Sequence, residues 1–144
     1  RTLLTDALVR SVQRQAGRVV SHEIDPVKPE TLVSALAELL PTGAVQREDA
    51  AAWVAFGAAA STRPWLADPY WEALVIMRTW VEGVLAGARQ AGLMRTDLSP
   101  AEGARLVTAL VNGLALDLLN APPTEPDEVI GQLRSGLGLV LRGL

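Results

Sequence analysis

The sequence predicts an all-α domain, and three observations carry that expectation. Apolar residues recur at the three- and four-residue spacing of amphipathic helices along most of the chain. No β-branched alternation bounded by hairpin turns interrupts that pattern. Clusters of proline and glycine cut the chain into six helix-length pieces. With 144 residues, 49% of them hydrophobic and 20% charged, the chain suits one domain with a substantial core.

The first helix is predicted from about Thr2 to Ile24, with Leu4, Leu8, Val12, Ala16 and Val19 on its inner face. Asp25-Pro26-Val27-Lys28-Pro29 ends it, since two prolines cannot continue a helix. A short helix follows over about Pro29 to Leu40, carrying Leu32, Val33, Leu36, Leu39 and Leu40, until Pro41-Thr42-Gly43. The third, about Gln46 to Ser61, is mostly alanine. It is thin enough for neighbours to approach, and Trp53, Val54 and Phe56 are its bulky residues. Asp68-Pro69 is read as the capped start of a long fourth helix ending near Ala91. Leu74, Met77, Trp80, Val81, Val84, Leu85 and Ala88 form its inward stripe, opposite Arg78, Glu82 and Arg89.

Gly92 can take the left-handed conformation that closes that helix. Ser99, Pro100 and Glu102 then predict a capping box opening a fifth helix to about Leu119. Its leucines and valines spread around most of the circumference, leaving Arg105, Thr108 and Asn112 as a narrow polar strip. A helix apolar on nearly all sides must be covered on nearly all sides, which predicts a second subunit. The last helix, about Glu125 to Leu144, is apolar on one face. Its Gly131, Gly136, Gly138 and Gly143 each weaken a helix interior and predict close backbone packing. The surface expected to meet a twin is Leu106, Leu110, Leu114 and Leu118 with Ile130, Leu133, Leu137, Val140 and Leu141.

Composition excludes several chemistries. There is no cysteine and only one histidine, so disulfides, thiolate chemistry and a zinc site are not expected. Nucleophile-elbow and phosphate-loop motifs are absent, and Val19 stands three residues before His22 where a di-iron bundle needs glutamate. Neither an enzyme nor a cofactor is therefore expected. No apolar run is long enough for a membrane span and the first residues are not a signal peptide, so a cytoplasmic location is expected. Net charge is −3, and Arg10, Arg14, Arg18 and His22 form the one basic row. That row reads as a solvated face with an Asp6–Arg10 pair, and the chain alone is not expected to read DNA.

Trp53, Phe56, Met77 and Trp80, with Val84, are candidates to line a small-molecule pocket; ordinary core packing is the competing reading. Asn112 is the polar group that such a pocket or a subunit rim would use. His22 lacks an orienting partner in sequence and reads as solvent-exposed or capping more readily than ligand-binding. Asp117 would need a partner if buried, whereas Asp68 and Glu72 suit the start of a helix.

One segment resembles a known family. Ala91-Gly92-Leu93-Met94-Arg95-Thr96-Asp97-Leu98-Ser99-Pro100, followed by Ala104, Ala109-Leu110 and Gly113-Leu114, is similar to the penultimate segment of TetR-family transcriptional regulators of the BetI-like subgroup. Trp53-x-x-Phe56-x-Ala58, Pro64 and Trp80 fit the same subgroup, and Leu3-Leu4-x-x-Ala7-Leu8 resembles its connector helix. The resemblance implies that residues 1–144 are an effector-binding and dimerisation domain. A small, largely apolar effector would lie among the third, fourth and fifth helices, and the last two helices would form a homodimer. The family's helix-turn-helix headpiece is not found in the first 45 residues, so DNA contact would come only through that missing domain. The alternatives are a helical partner-binding or structural module without a small ligand, and an enzyme on a helical scaffold.

Overall fold

A computed structural model describes residues 3–95 and 97–144; the predicted helix start at Thr2, and Thr96 of the motif, lie outside them. Six helices follow in order: α1 Leu3–Val20, α2 Glu30–Ala37, α3 Ala44–Ala60, α4 Pro64–Gln90, α5 Pro100–Asn120 and α6 Pro126–Leu137. Among the described residues the only β pairing is an isolated antiparallel bridge between Met94 and Leu141.

Helices α1 and α2 end at Val20 and Ala37, a turn short of the sequence reading, and two other helix ends differ further. Pro64, not Pro69, occupies the first turn of α4, and Pro69 lies inside the helix. A proline this close to the N-terminus disturbs only the first turns, where few intrahelical bonds exist to lose. At the other end of the chain, α6 stops at Leu137 rather than running to Leu144. The segment beyond it turns back, so that Arg95 N–H donates to Val140 O and Arg142 N–H to Leu93 O. Gly143, at φ +86°, supplies a backbone conformation a helix does not use.

The junction between α4 and α5 is built as its residues predict. Gly92 has φ +76°, Leu93 N–H reaches Ala88 O at 2.9 Å and Gly92 N–H reaches Arg89 O at 3.0 Å, a Schellman closure. Ser99 Oγ accepts from Glu102 N–H at 3.1 Å, and the Glu102 carboxylate accepts from Ser99 N–H at 3.2 Å. These bonds fix the angle at which the long α4 hands over to α5.

Apolar side chains gather in two clusters. The larger joins α2, the C-terminal part of α4, α5 and α6, with Leu36, Leu85, Leu133 and Leu137 fully buried. The smaller holds Leu8, Trp53, Phe56, Leu66 and Leu74, from α1, α3 and the N-terminal part of α4. Of the four glycines read into the last helix, only Gly131 and Gly136 lie within α6, and of these Gly136 is packed closely: a Cβ there would run into the Leu110 side chain, whereas Gly131 faces open space.

The predicted partner surface divides. Leu118, Leu133, Leu137, Val140 and Leu141 are buried within the chain's own core, so a second subunit cannot cover them. Leu110, Leu114 and Ile130 are half-buried against the same core, and Leu106 is exposed. The strip on α5 runs opposite to expectation. Thr108 is buried, with its hydroxyl bonded to Ala104 O and to Arg78, while Leu106 and Leu116 face outward. Asp117 is exposed and needs no buried partner.

Candidate ligand-binding site

Between the two clusters lies a cavity of about 450 Å³. From α3 it takes Trp53 and Phe56, and from α4 Pro69, Glu72, Ala73, Ile76, Met77 and Trp80. Its remaining walls come from α1, through Val12, Gln15, Ala16 and Val19 among others, and from Leu36 of α2 with Leu39 just beyond it. The volume suits a small organic molecule, and the lining is mostly aliphatic and aromatic. Val20, Ile76, Gln13 and Glu72 are exposed and Trp53 and Phe56 buried, so the cavity runs from a mixed apolar and polar mouth to an aromatic floor.

Four of the predicted pocket residues, Trp53, Phe56, Met77 and Trp80, meet at this cavity. Val84 and Asn112 do not line it. Val84 packs on the larger cluster, one helical turn beyond Trp80. The predicted walls were the third, fourth and fifth helices, but the third wall is α1. Val12 and Ala16, read as the inner face of the first helix, line the cavity, and Val12 also packs against the smaller cluster. Aliphatic residues at helical spacing look the same in both situations, so sequence offers no signal to separate them.

The aromatic floor is rigid. Trp53 stacks on Tyr70 with ring centroids 4.6 Å apart, and Phe56 meets both rings edge-on. Trp53 Nε1 donates to Asn112 Oδ1 at 2.9 Å. Asn112 therefore acts behind the wall, holding the indole from α5. Burial pushes the Tyr70 hydroxyl above its ordinary pKa of 10.0, so the ring stays neutral throughout the physiological range.

Among the described residues, Glu72 is the one ionisable side chain in the lining, and it is exposed. No basic side chain among the described residues lines the cavity. In the basic row of α1, Arg10 and Arg14 are exposed as expected, but Arg14, Arg18 and His22 also engage carboxylates of the neighbouring elements. Asp49 of α3, 1% exposed, accepts from Ser11 Oγ at 2.7 Å and Arg14 Nη2 at 2.9 Å. Arg18 Nη1 stands 2.9 Å from its other oxygen. One step further, His22 Nε2 lies 2.7 Å from Glu38 Oε2, and Gln46 Nε2 donates to Glu38 Oε1 at 3.1 Å. Burial raises the carboxyl pKa of Asp49, but bonds from Arg14, Ser11 and Arg18 outweigh it and hold the group below its ordinary 3.8. This ionic bracket joins α1 to α2 and α3 beside the cavity wall. Asp49 stands in an alanine-rich run, and nothing in its spacing identifies a buried carboxylate.

The described helices thus enclose a largely apolar cavity with an aromatic floor, walled in part by the first helix. Residues 29–142 match the C-terminal domain of BetI-type transcriptional repressors, and the chain belongs to that TetR-type family. A transcriptional regulator from Rhodococcus sp. Rha1 superposes with a TM-score of 0.81 at 26% identity, covering 98% of this chain and 74% of that one. A regulator from Saccharomonospora viridis, solved in complex with choline, gives 0.81 at 23% identity, covering 97% and 74%. A TetR-family regulator from Rhodococcus sp. gives 0.82 at 20%, covering 96% and 73%. No curated protein matches the chain. Among the described residues, no helix is long and apolar enough to cross a membrane.

Proposed function

We propose that this chain is the effector-binding and dimerisation domain of a repressor whose DNA-reading headpiece precedes it. The cavity carries the reading, because its longest wall is the helix that would follow directly from such a headpiece. A molecule seated against Val12, Gln15 and Val19 changes the free energy of α1 relative to α3 and α4. It releases DNA only if it binds one placement of α1 better than the other. A small, largely apolar effector fits the lining.

A compact organic cation is a second reading. It is supported by Glu72 as the lining's one charge, by tryptophan faces nearby, and by the choline bound to the Saccharomonospora viridis regulator. The test is titration with choline and with neutral hydrophobic compounds, following tryptophan emission. Quenching should vanish when Trp53 and Trp80 are both replaced by Phe, since Trp65 and Trp71 are outside the lining. Quenching that survives both replacements moves the site elsewhere.

The homodimer reading rests on α5, where Leu106, Ala109, Gly113 and Leu116 share one exposed face. Leu106 and Leu116 are each about half exposed, and a Cβ at Gly113 would meet nothing, so a second helix can approach closely. An isologous pairing of that face on its copy is the form a two-fold dimer takes.

A further inference from the structure

Among the described residues, Gln15 is the one polar side chain lining the cavity that is also buried, at 5% exposure. No hydrogen bond among the described residues reaches its amide, and neither of its polar atoms is fully sealed from the surrounding space. The amide therefore opens onto the cavity itself. The lining groups one turn away on its own helix, Val12 and Val19, are aliphatic and give it nothing to bond, and Gln13, also in the lining, is exposed and forms no hydrogen bond with it. A buried carboxamide without partners is costly, and native proteins retain such groups where something else completes them.

We infer that Gln15 is the hydrogen-bond anchor of the effector, an inference that rests on the cavity being the effector site. A carboxamide offers one carbonyl acceptor and two N–H donors and carries no charge. Its complement is a neutral head group that both donates and accepts, an alcohol or a primary amide, on an apolar body lying against Trp53, Phe56, Met77 and Trp80. Carboxylates and phosphates are disfavoured, because no cation lines the cavity and Glu72 guards its rim. Gln15 thereby sets specificity by head group, while the aromatic floor sets size.

Four probes share one body and differ in the head: 4-phenylbutan-1-ol, 4-phenylbutanamide, 4-phenylbutanoate and butylbenzene. Calorimetric titration of the chain should rank the alcohol and the amide at least about fivefold tighter than the hydrocarbon, with the carboxylate weakest. Gln15→Leu should erase that preference while still binding butylbenzene. Without any probe, it should melt at the same or a higher temperature, since an unbonded amide is replaced by an apolar group of similar size. Equal affinity for all heads in the unaltered chain, or a preference that survives Gln15→Leu, overturns the assignment and leaves the cavity reading intact. A markedly lower melting temperature for Gln15→Leu also overturns it, by showing that the amide serves the fold. Failure of all four probes to bind overturns the cavity reading as well.

Discussion

Trp53 of α3 and Asn112 of α5 are joined by a 2.9 Å hydrogen bond from the indole Nε1 to the amide Oδ1. The bond ties the cavity floor to the helix with the exposed apolar face, although Asn112 never touches the cavity. Asn112→Leu leaves a buried indole N–H without its acceptor and should cost about 1–3 kcal/mol of stability. Urea unfolding measures that loss. The same variant should shift the emission of Trp53, and effector affinity should fall because the floor is no longer held in one orientation. Unchanged stability and an unchanged spectrum would show that the bond contributes nothing in solution.

Asp49 is the most consequential charge in the chain. Asp49→Ala leaves Arg18 facing a vacated, largely buried site and should destabilise by about 3–5 kcal/mol. Arg14, whose side chain is 54% exposed, should be far more dispensable, with Arg14→Ala costing at most about 1 kcal/mol. Chemical denaturation of the two variants side by side tests the asymmetry. Equal losses would mean that the pair behaves as a surface salt bridge.

The same bracket predicts an acid limb. Asp49 and Glu38 both titrate below their ordinary values of 3.8 and 4.5. In Glu38 burial opposes the shift, and bonds from His22 and Gln46 with the charge of Arg18 produce it. A lowered folded pKa contributes stability that is fully present above the unfolded value and is lost as pH falls through the folded one. Melting temperature should therefore hold from neutrality to about pH 5 and then fall steeply. A Glu38→Gln variant should start lower and show a shallower acid decline. An identical slope would remove Glu38 from the account.

The elements themselves were legible because their signals are local. Gly92, Ser99, Pro100 and Glu102 specify a closure and a cap through neighbours within a few residues, and the structure places each bond as expected. The four aromatic and thioether residues of the cavity were legible too, since bulky groups on an alanine-rich helix stand out. What stayed hidden depends on meetings across the fold. Val12 and Gln15 face a void, and Asp49 meets Arg14 and Arg18 across 35 and 31 positions of chain (49 − 14 and 49 − 18). Leu118 of α5 and Leu133 and Leu137 of α6, expected on the partner surface, are buried in the chain's own core for the same reason. Periodicity shows that a helix is apolar all round but not which side its own chain covers.

Two glycines should respond in opposite directions to alanine. Gly83 is exposed on α4, and an added Cβ there meets nothing within 4 Å. Gly83→Ala should stabilise by roughly 0.5–1 kcal/mol, the ordinary helix preference. At Gly103 of α5 the Cβ would stand 2.7 Å from Met94 Cε and 2.9 Å from Leu85 Cδ1. Met94 can swing aside, but Leu85 is fully buried, so Gly103→Ala should cost about 1–3 kcal/mol. Thermal melts of the two variants should bracket that of the parent. A stabilised Gly103→Ala would mean that this core is looser than its packing indicates.

Dimerisation offers the sharpest contrast between surface and core. Leu106 and Leu116 are about half exposed, so glutamate at both positions places charge on the face proposed to pair without disturbing the core. Light scattering of the parent should give about twice the 15.3 kDa chain mass, and the double variant should return to one chain mass while remaining helical. Leu137→Glu should behave differently. That side chain is 0% exposed within a single chain, and a buried unpaired carboxylate unfolds a domain sooner than it separates two. If the Leu106→Glu, Leu116→Glu variant remains dimeric, the pairing face is not this side of α5. If the parent is monomeric at tens of micromolar, the two-fold arrangement fails and the cavity must act within one subunit.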